Sequence, residues 1–252
     1  MPTDQRDLGP SLVMWDVDHT LVSVGGGVSR SIYERAFRQV TGKPLGELAE
    51  MSGRTDQAIM VETLRLNGVE EPEALFDDFY AALAAAAEQL TDRMRDVGTV
   101  LPGSREAIAS CAAHGTVQTA VTGNIRPIAM TKLTALRLGD GLDFSVGGYG
   151  DDGSDRAELV RQARKRASQK YGHDFAGTRA VVIGDTPASR SLGATRDGKH
   201  SVTCRRTAVG RQEFGLRAGL GEGGENAQGP SLWTALGKVP DGMEWAILGS
   251  NQ

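Results

Sequence analysis

Apolar and polar positions alternate in two rhythms along this chain. Five short runs read as strands: SLVMWD (11–16), TVQTAVTG (116–123), DFSVGGY (143–149), RAVVIGD (179–185) and HSVTC (200–204). The first and fourth are almost continuously apolar, as strands covered on both faces of a parallel sheet must be. Three longer stretches between them have helical spacing and end in glycine, a favoured helix stop. They are GSREAIASCAAHG (103–115), RPIAMTKLTALRLG (126–139) and DRAELVRQARKRASQKYG (155–172). Strand followed by helix, repeatedly, predicts a right-handed α/β fold: a Rossmann-like parallel sheet core flanked by helices.

The interval after the first strand breaks this rhythm. Residues 28–97 read as helix after helix, in SRSIYERAFRQVTG, TDQAIMVETLRLNG and PEALFDDFYAALAAAAEQLTDRMRD, with no strand between them. The chain therefore divides into a core built from 11–22 plus 99–204, a helical insertion at 23–98 and an irregular C-terminal segment at 205–252. SVGGG (23–27) and VGTVLPG (97–103) are the insertion's two connections. The three glycines suit a flexible hinge, because glycine tolerates φ/ψ values that other residues avoid. They are not a phosphate loop, since the Lys-Ser/Thr that should follow is absent. In the C-terminal segment, GLGEGGENAQGPS (219–231) has the composition of a loop.

Composition narrows the partners. The 252 residues are 39% hydrophobic and 24% charged, ordinary for a globular protein, and the formal net charge of -4 gives no field for gripping nucleic acid. The basic run RQARKRASQK (161–170) has no aromatic residues interleaved for base stacking and reads as the wet face of a helix. Two cysteines, Cys111 and Cys204, are too few for a disulfide framework and favour a reducing compartment. With a polar N-terminal stretch and no apolar run of the ~18 residues a membrane span needs, the expectation is a cytoplasmic protein with no membrane partner.

Candidate chemistry lies at the strand ends, where open α/β sheets bind their ligands. The first strand ends in Asp16 and Asp18, the second in Thr122, Gly123 and Asn124, and the fourth in Asp185. Arg156 opens the helix after GGYGDDGSD. Burying two neighbouring carboxylates is costly unless both have work to do. Together these groups suit phosphoryl transfer through an aspartyl intermediate. One carboxylate attacks, its neighbour moves the proton, and a hard oxygen site holds Mg²⁺.

DVDHT (16–20) matches the D-x-D-x-T motif of the haloacid dehalogenase superfamily. VTG (121–123) resembles that family's second motif and VVIGDTP (181–187) its fourth, while Arg156 stands where the family usually has a lysine or arginine. The helical insertion lies where members of the phosphoglycolate phosphatase and β-phosphoglucomutase type carry an α-helical cap. The resemblance spans roughly residues 11 to 200. It implies that Asp16 is the nucleophile and Asp18 the acid/base. It implies further that Thr122, Gly123, Asn124 and Arg156 bind the phosphoryl group. Asp16, Asp185 and Asp18, the last through its main-chain carbonyl, would hold Mg²⁺. SGRTD (52–56) resembles a cap segment that reaches the substrate, which makes Arg54 a specificity candidate beside Arg30 and Lys43; His19 would line the cleft. The expected function is a Mg²⁺-dependent phosphatase acting on a small phosphorylated metabolite. Two alternatives stand beside it: a phosphomutase of the same fold, or a catalytically impaired binding protein.

The last alternative follows from a departure. The family's fourth motif carries a further acid four or five residues on, where this chain has Ser189 and Arg190. Asp151 and Asp152, on the loop after the third strand, could compensate. Each candidate also has an ordinary structural use. Asp16 and Asp18 could begin a loop, Thr122-Gly123-Asn124 could be a turn, Arg156 could pair on the surface with Glu158 or Asp155, and Asp185 could cap a helix.

Overall fold

The computed structural model describes residues 10–176 and 179–185, together with the strand segments 200–206, 212–214 and 247–249. The chain opens with β1 (Leu12–Trp15) and β2 (Val22–Val24), then runs through α1 (Val28–Thr41), α2 (Asp56–Leu66), α3 (Phe76–Gln89) and α4 (Thr91–Val97). It continues through β3 (Gly98–Val100), α5 (Ser104–Ala113), β4 (Val117–Ala120), α6 (Arg126–Ala135) and α7 (Arg156–Tyr171). The remaining strands are β5 (Ala180–Gly184), β6 (His200–Arg206), β7 (Gln212–Phe214) and β8 (Ile247–Gly249).

The main sheet has the order β4-β1-β5-β6-β7, with β8 also paired to β6. The pairs β1/β4, β1/β5 and β5/β6 are parallel, so β1 and β5 lie inside the sheet with both faces covered. Side-chain alternation then explains their unbroken apolar sequences. Val13, Trp15, Val181 and Ile183 pack against α5 and α6, while Leu12, Met14 and Val182 pack against Leu159, Val160 and Ala163 of α7. A polar link is buried in the first layer. The Trp15 indole donates to Gln118 Oε1 at 3.0 Å, and Gln118 Nε2 donates to the Ile108 carbonyl at 2.9 Å, so neither polar group is left unsatisfied.

Helices α1 to α4 form the insertion around a core of their own. Tyr33, Ala36 and Phe37 of α1 meet Phe79, Ala82, Leu83 and Ala86 of α3, whose small residues let the two helices approach closely. Ile125, Ile128 and Ala135 from the α6 region join the same cluster, so the insertion rests on the core through apolar contact. The long third helical stretch of the sequence breaks into a 3₁₀ turn (Pro72–Leu75), α3 and α4. At the last break the Thr91 hydroxyl donates to the Glu88 carbonyl at 2.7 Å, competing with the helical ladder. Among the described residues, no helix is long and apolar enough to cross a membrane.

The structure departs from the sequence pattern in three further places. Residues 143–149 are not a strand: Phe144–Val146 is a 3₁₀ turn, and one isolated parallel bridge joins Val121 to Gly148. Asp143 Oδ1 accepts from the Ser145 amide at 3.0 Å and hydroxyl at 2.6 Å, a local bond that pulls the backbone into a turn. The two connections of the insertion are not plain loops, because β2 and β3 pair antiparallel, Val22 opposite Val100 and Val24 opposite Gly98. The glycine run ends with Gly26 and Gly27 at φ 63° and 68°, and Gly27 starts α1. Finally, β7 and β8 fall within the segment expected to be irregular, both antiparallel to β6.

Candidate active site

Parallel pairing brings the strand ends into one row. The Asp16 amide still donates to the Ile183 carbonyl at 2.8 Å, and Val121 donates to the Trp15 carbonyl at 2.7 Å. Asp16, Thr122 and Asp185 therefore leave adjacent strands at the same edge. They line a cavity of about 340 Å³ with Asp18, Asn124, Lys132 and Arg156, roofed from the insertion by Met51, Ser52, Gly53, Arg54, Asp56 and Ile59.

Asp16 is 5% exposed. Its Oδ2 accepts from the Arg156 guanidinium at 2.8 Å and its Oδ1 from the Val17 amide at 2.9 Å. Burial pushes its carboxyl up to about 6, against the pull of Arg156 and with the push of Asp185 and Asp18. Arg156 is therefore not a surface charge. The acids that could have claimed it, Glu158 and Asp155, pair with Arg161 instead.

Asp18 begins a tight turn that brings His19 N to the Val22 carbonyl at 2.8 Å. His19 adopts φ 61°, the left-handed region where a side chain is strained, which is why glycine suits this position so well. Its side chain is exposed at the cavity's edge. The Asp18 carboxylate accepts from Lys132 Nζ at 2.8 and 2.7 Å and from Asn124 Nδ2 at 2.6 Å. Burial raises its pKa, but the ammonium and these bonds outweigh that and hold the carboxyl below its ordinary value. Asn124 also donates to Thr122 Oγ1 at 3.0 Å, so the end of β4 and the turn after β1 are joined through one amide.

Gly123 is required by a close approach. A Cβ there would stand 2.2 Å from the Arg54 carbonyl, and one on Gly150 would stand 1.9 Å from the Gly123 carbonyl. Through this gap the insertion docks on the core: the Asp56 amide donates to the Gly123 carbonyl at 2.6 Å and Gln57 to Gly150 at 3.3 Å. The buried Asp56 carboxylate accepts from Tyr33 Oη at 2.9 Å and from the Ile125 amide at 2.7 Å, spanning insertion and core.

Among the specificity candidates, Arg54 stands in the roof of the cavity. The Arg54 guanidinium is committed within the insertion, to Glu62 and to the carbonyls of Glu50 and Ala58. Arg30 pairs with Glu34, and neither Arg30 nor Lys43 lines the cavity. Asp151 and Asp152 do not reach it either. Asp151 accepts from the Arg126 amide, while Asp152 is gripped by Arg166 and the Tyr149 amide. The compensation expected of them fails because both carboxylates already serve their own loop. Ser189 and Arg190 lie outside the described residues, as does the chain that Asp185 would cap.

Two residues that the sequence pattern did not mark stand at the centre of the site. Lys132 is buried on the apolar stripe of α6, three residues from Ala129 and four from Ile128. A lysine on such a stripe is the one signal that could have found it. Asp56 sits in the first turn of α2, where an acid reads as ordinary helix chemistry.

Among the described residues, no three His, Cys, Asp or Glu side chains are grouped to hold a metal. Asp16 and Asp185 nevertheless offer two hard oxygen donors. Burial raises both carboxyls, and the Asp185 charge pushes Asp16 up further, a repulsion that a dication would relieve. The Asp18 side chain is taken by Lys132, which leaves its main-chain carbonyl for such a role.

The family model described as haloacid dehalogenase-like hydrolase matches residues 13–188. No curated protein is a significant match to the chain. Similar solved structures include a predicted phosphatase from Clostridium acetobutylicum, at 15% identity and TM-score 0.46, covering 73% of this chain and 80% of that one. A hydrolase from Pseudomonas syringae is 20% identical with TM-score 0.46, covering 74% and 82%. A mutant of CbbY from Rhodobacter sphaeroides, in complex with xylulose-(1,5)bisphosphate, is 17% identical with TM-score 0.46, covering 73% and 82%.

Proposed function

The chain belongs to the haloacid dehalogenase-like hydrolases, and from that membership we propose that it is a Mg²⁺-dependent phosphatase of a small phosphorylated metabolite. The observation that carries this reading is the convergence of Asp16, Arg156, Thr122 and Asp18 on one cavity at the ends of parallel strands. A volume of about 340 Å³ falls at the small end of the range for ligand sites.

In this reading Asp16 attacks phosphorus, and a phospho-aspartyl intermediate divides one hard displacement into two easier ones. Arg156 fixes the attacking carboxylate through Oδ2 and stands beside the incoming anion. Thr122 and the Gly123 amide hold the phosphoryl oxygens, while Asn124, whose main-chain amide donates to Thr122 Oγ1 at 3.3 Å, supports that hydroxyl. Asp18 gives a proton to the departing oxygen and takes one from the attacking water. Its lowered pKa leaves it ionised at rest, suited to the second of these steps. The insertion closes over the site as a cap and excludes bulk water. Asp16, Asp185 and the Asp18 main-chain carbonyl would hold Mg²⁺, which when bound neutralises charge on the transferring group.

A second reading, a binding protein with a disabled metal site, draws on the sequence, which has Ser189 and Arg190 where the family's fourth motif carries a further acid. One experiment separates the two: phosphate release from a panel of small phosphate esters, with and without Mg²⁺, for the wild type and Asp16→Asn. Mg²⁺-dependent release of inorganic phosphate, lost in the variant, is the expected result. Turnover that survives in Asp16→Asn would refute the assigned nucleophile. No turnover on any ester, with no Mg²⁺ binding by calorimetry, would select the second reading.

A further inference from the structure

Lys132 is not a surface lysine. Its side chain is 3% exposed, and a buried ammonium is costly unless every donor is used. Each of its three N–H groups has a partner: Asp18 Oδ1 at 2.8 Å, Asp18 Oδ2 at 2.7 Å and Asn124 Oδ1 at 2.9 Å. None remains for a substrate oxygen. Asn124 completes a closed ring by donating to Asp18 Oδ2 at 2.6 Å, and the same amide reaches Thr122 Oγ1. Turning the Asp18 carboxylate would break three hydrogen bonds at once. The ring also sits on rigid elements, since Lys132 belongs to α6 and Thr122 follows β4.

We propose that Lys132 is the positioning residue for Asp18. It fixes the acid/base carboxylate relative to the phosphate-binding end of β4 without itself touching substrate. This rests on the phosphatase reading. In the first step Asp18, ionised at rest, takes up a proton from water as the anionic ester enters beside it. The Asp16 oxygen then bonds to phosphorus as the bond from phosphorus to the leaving oxygen breaks, and that proton goes to the leaving oxygen. Water then splits the phospho-aspartate and Asp18 takes up the water's proton. An alkoxide leaving group needs the proton delivered accurately, whereas p-nitrophenolate departs as a stable anion. Loss of positioning should therefore be selective for the leaving group.

The test compares kcat/KM, which reports the steps through phosphorylation of Asp16, for glycerol 2-phosphate and p-nitrophenyl phosphate. The proteins are the wild type, Asp16→Asn, Lys132→Met, Lys132→Gln and Lys132→Arg, each checked by thermal unfolding. Since a general acid contributes about 10²–10⁴-fold, Lys132→Met should lose at least about tenfold more on the alkyl ester than on the aryl ester. Lys132→Arg, which keeps charge and donors, should recover part of that difference. Equal losses on both esters would assign Lys132 to folding alone and overturn the proposal, as would no loss on either. If Lys132→Met does not fold, Lys132→Gln carries the same comparison. Should wild type and Asp16→Asn be equally inactive on both esters, the phosphatase reading fails. The proposal is then judged by a crystal structure of Lys132→Gln: an Asp18 carboxylate that has turned supports it, and one that keeps its orientation overturns it.

Discussion

Replacing Asp56 by asparagine should stabilise the protein, although it removes a charge between insertion and core. The carboxylate is 4% exposed, and burial pushes its pKa up to about 6 in spite of the Ile125 amide, Lys132 and the Tyr33 hydroxyl. Relative to the usual value of 3.8, the folded state disfavours the ionised form by about two pH units, or about 3 kcal/mol. The raised folded-state pKa sets the sign. Below pH 4 the group is protonated folded or unfolded and carries no penalty. The penalty grows between pH 4 and 6 and is complete above 6. An amide in the same place can accept from Ile125 N–H with its oxygen and give its NH₂ to the Tyr33 oxygen, so both contacts survive. Asp56→Asn should therefore gain about 1–3 kcal/mol at pH 8, a rise of roughly half a molar or more in the urea midpoint, with the gain fading toward pH 4. Urea unfolding of both proteins at pH 8 and pH 4.5 decides it. A variant less stable than wild type at pH 8, or a difference that ignores pH, would refute the reasoning.

Two other substitutions test the surroundings of the site. Gly123→Ala places a Cβ 2.2 Å from the Arg54 carbonyl, so it should push the cap segment off the core, cost about 1–3 kcal/mol in thermal unfolding and raise KM; an unchanged KM would contradict the docking described here. His19→Val, a branched residue forced to φ 61°, should lose about 1–2 kcal/mol in chemical denaturation, while His19→Gly should stay within about 1 kcal/mol of wild type; equal stability of all three would remove the strain assigned to that turn.

The parts of the fold legible in the sequence are those where one short-range rule acts alone. The strands β1 and β5 are apolar because both faces are covered, and α7 is bracketed by the Asp155 cap and Gly172 at φ 68°. Residues 143–149 misled because Phe144 and Val146 alternate as a strand's would, while Asp143 binds the backbone locally and wins. In the site, Asp16, Thr122 and Asp185 were legible because strand ends define the crevice. Lys132 and Asp56 were not, since each meets its partner only after packing. Lys132 lies 114 residues from Asp18, and Asp56 lies 69 from Ile125. The commitment of Arg54 to Glu62 was hidden for the same reason.

The ribbon of β2 and β3 has a consequence for how such a protein can change over generations. Seen from the sheet, everything from Gly25 to Val97 is the loop of one β-hairpin, entering at Val24 and leaving at Gly98 directly opposite. Paired strands hold those two points about 5 Å apart whatever lies between them. A replacement segment must start and finish side by side and offer an apolar face to Ile125, Ile128 and Ala135, but it asks no adjustment of the strands that lead to Asp16 and Thr122. Recombination could therefore exchange the part of the molecule that meets the substrate while the reacting groups stay where they are.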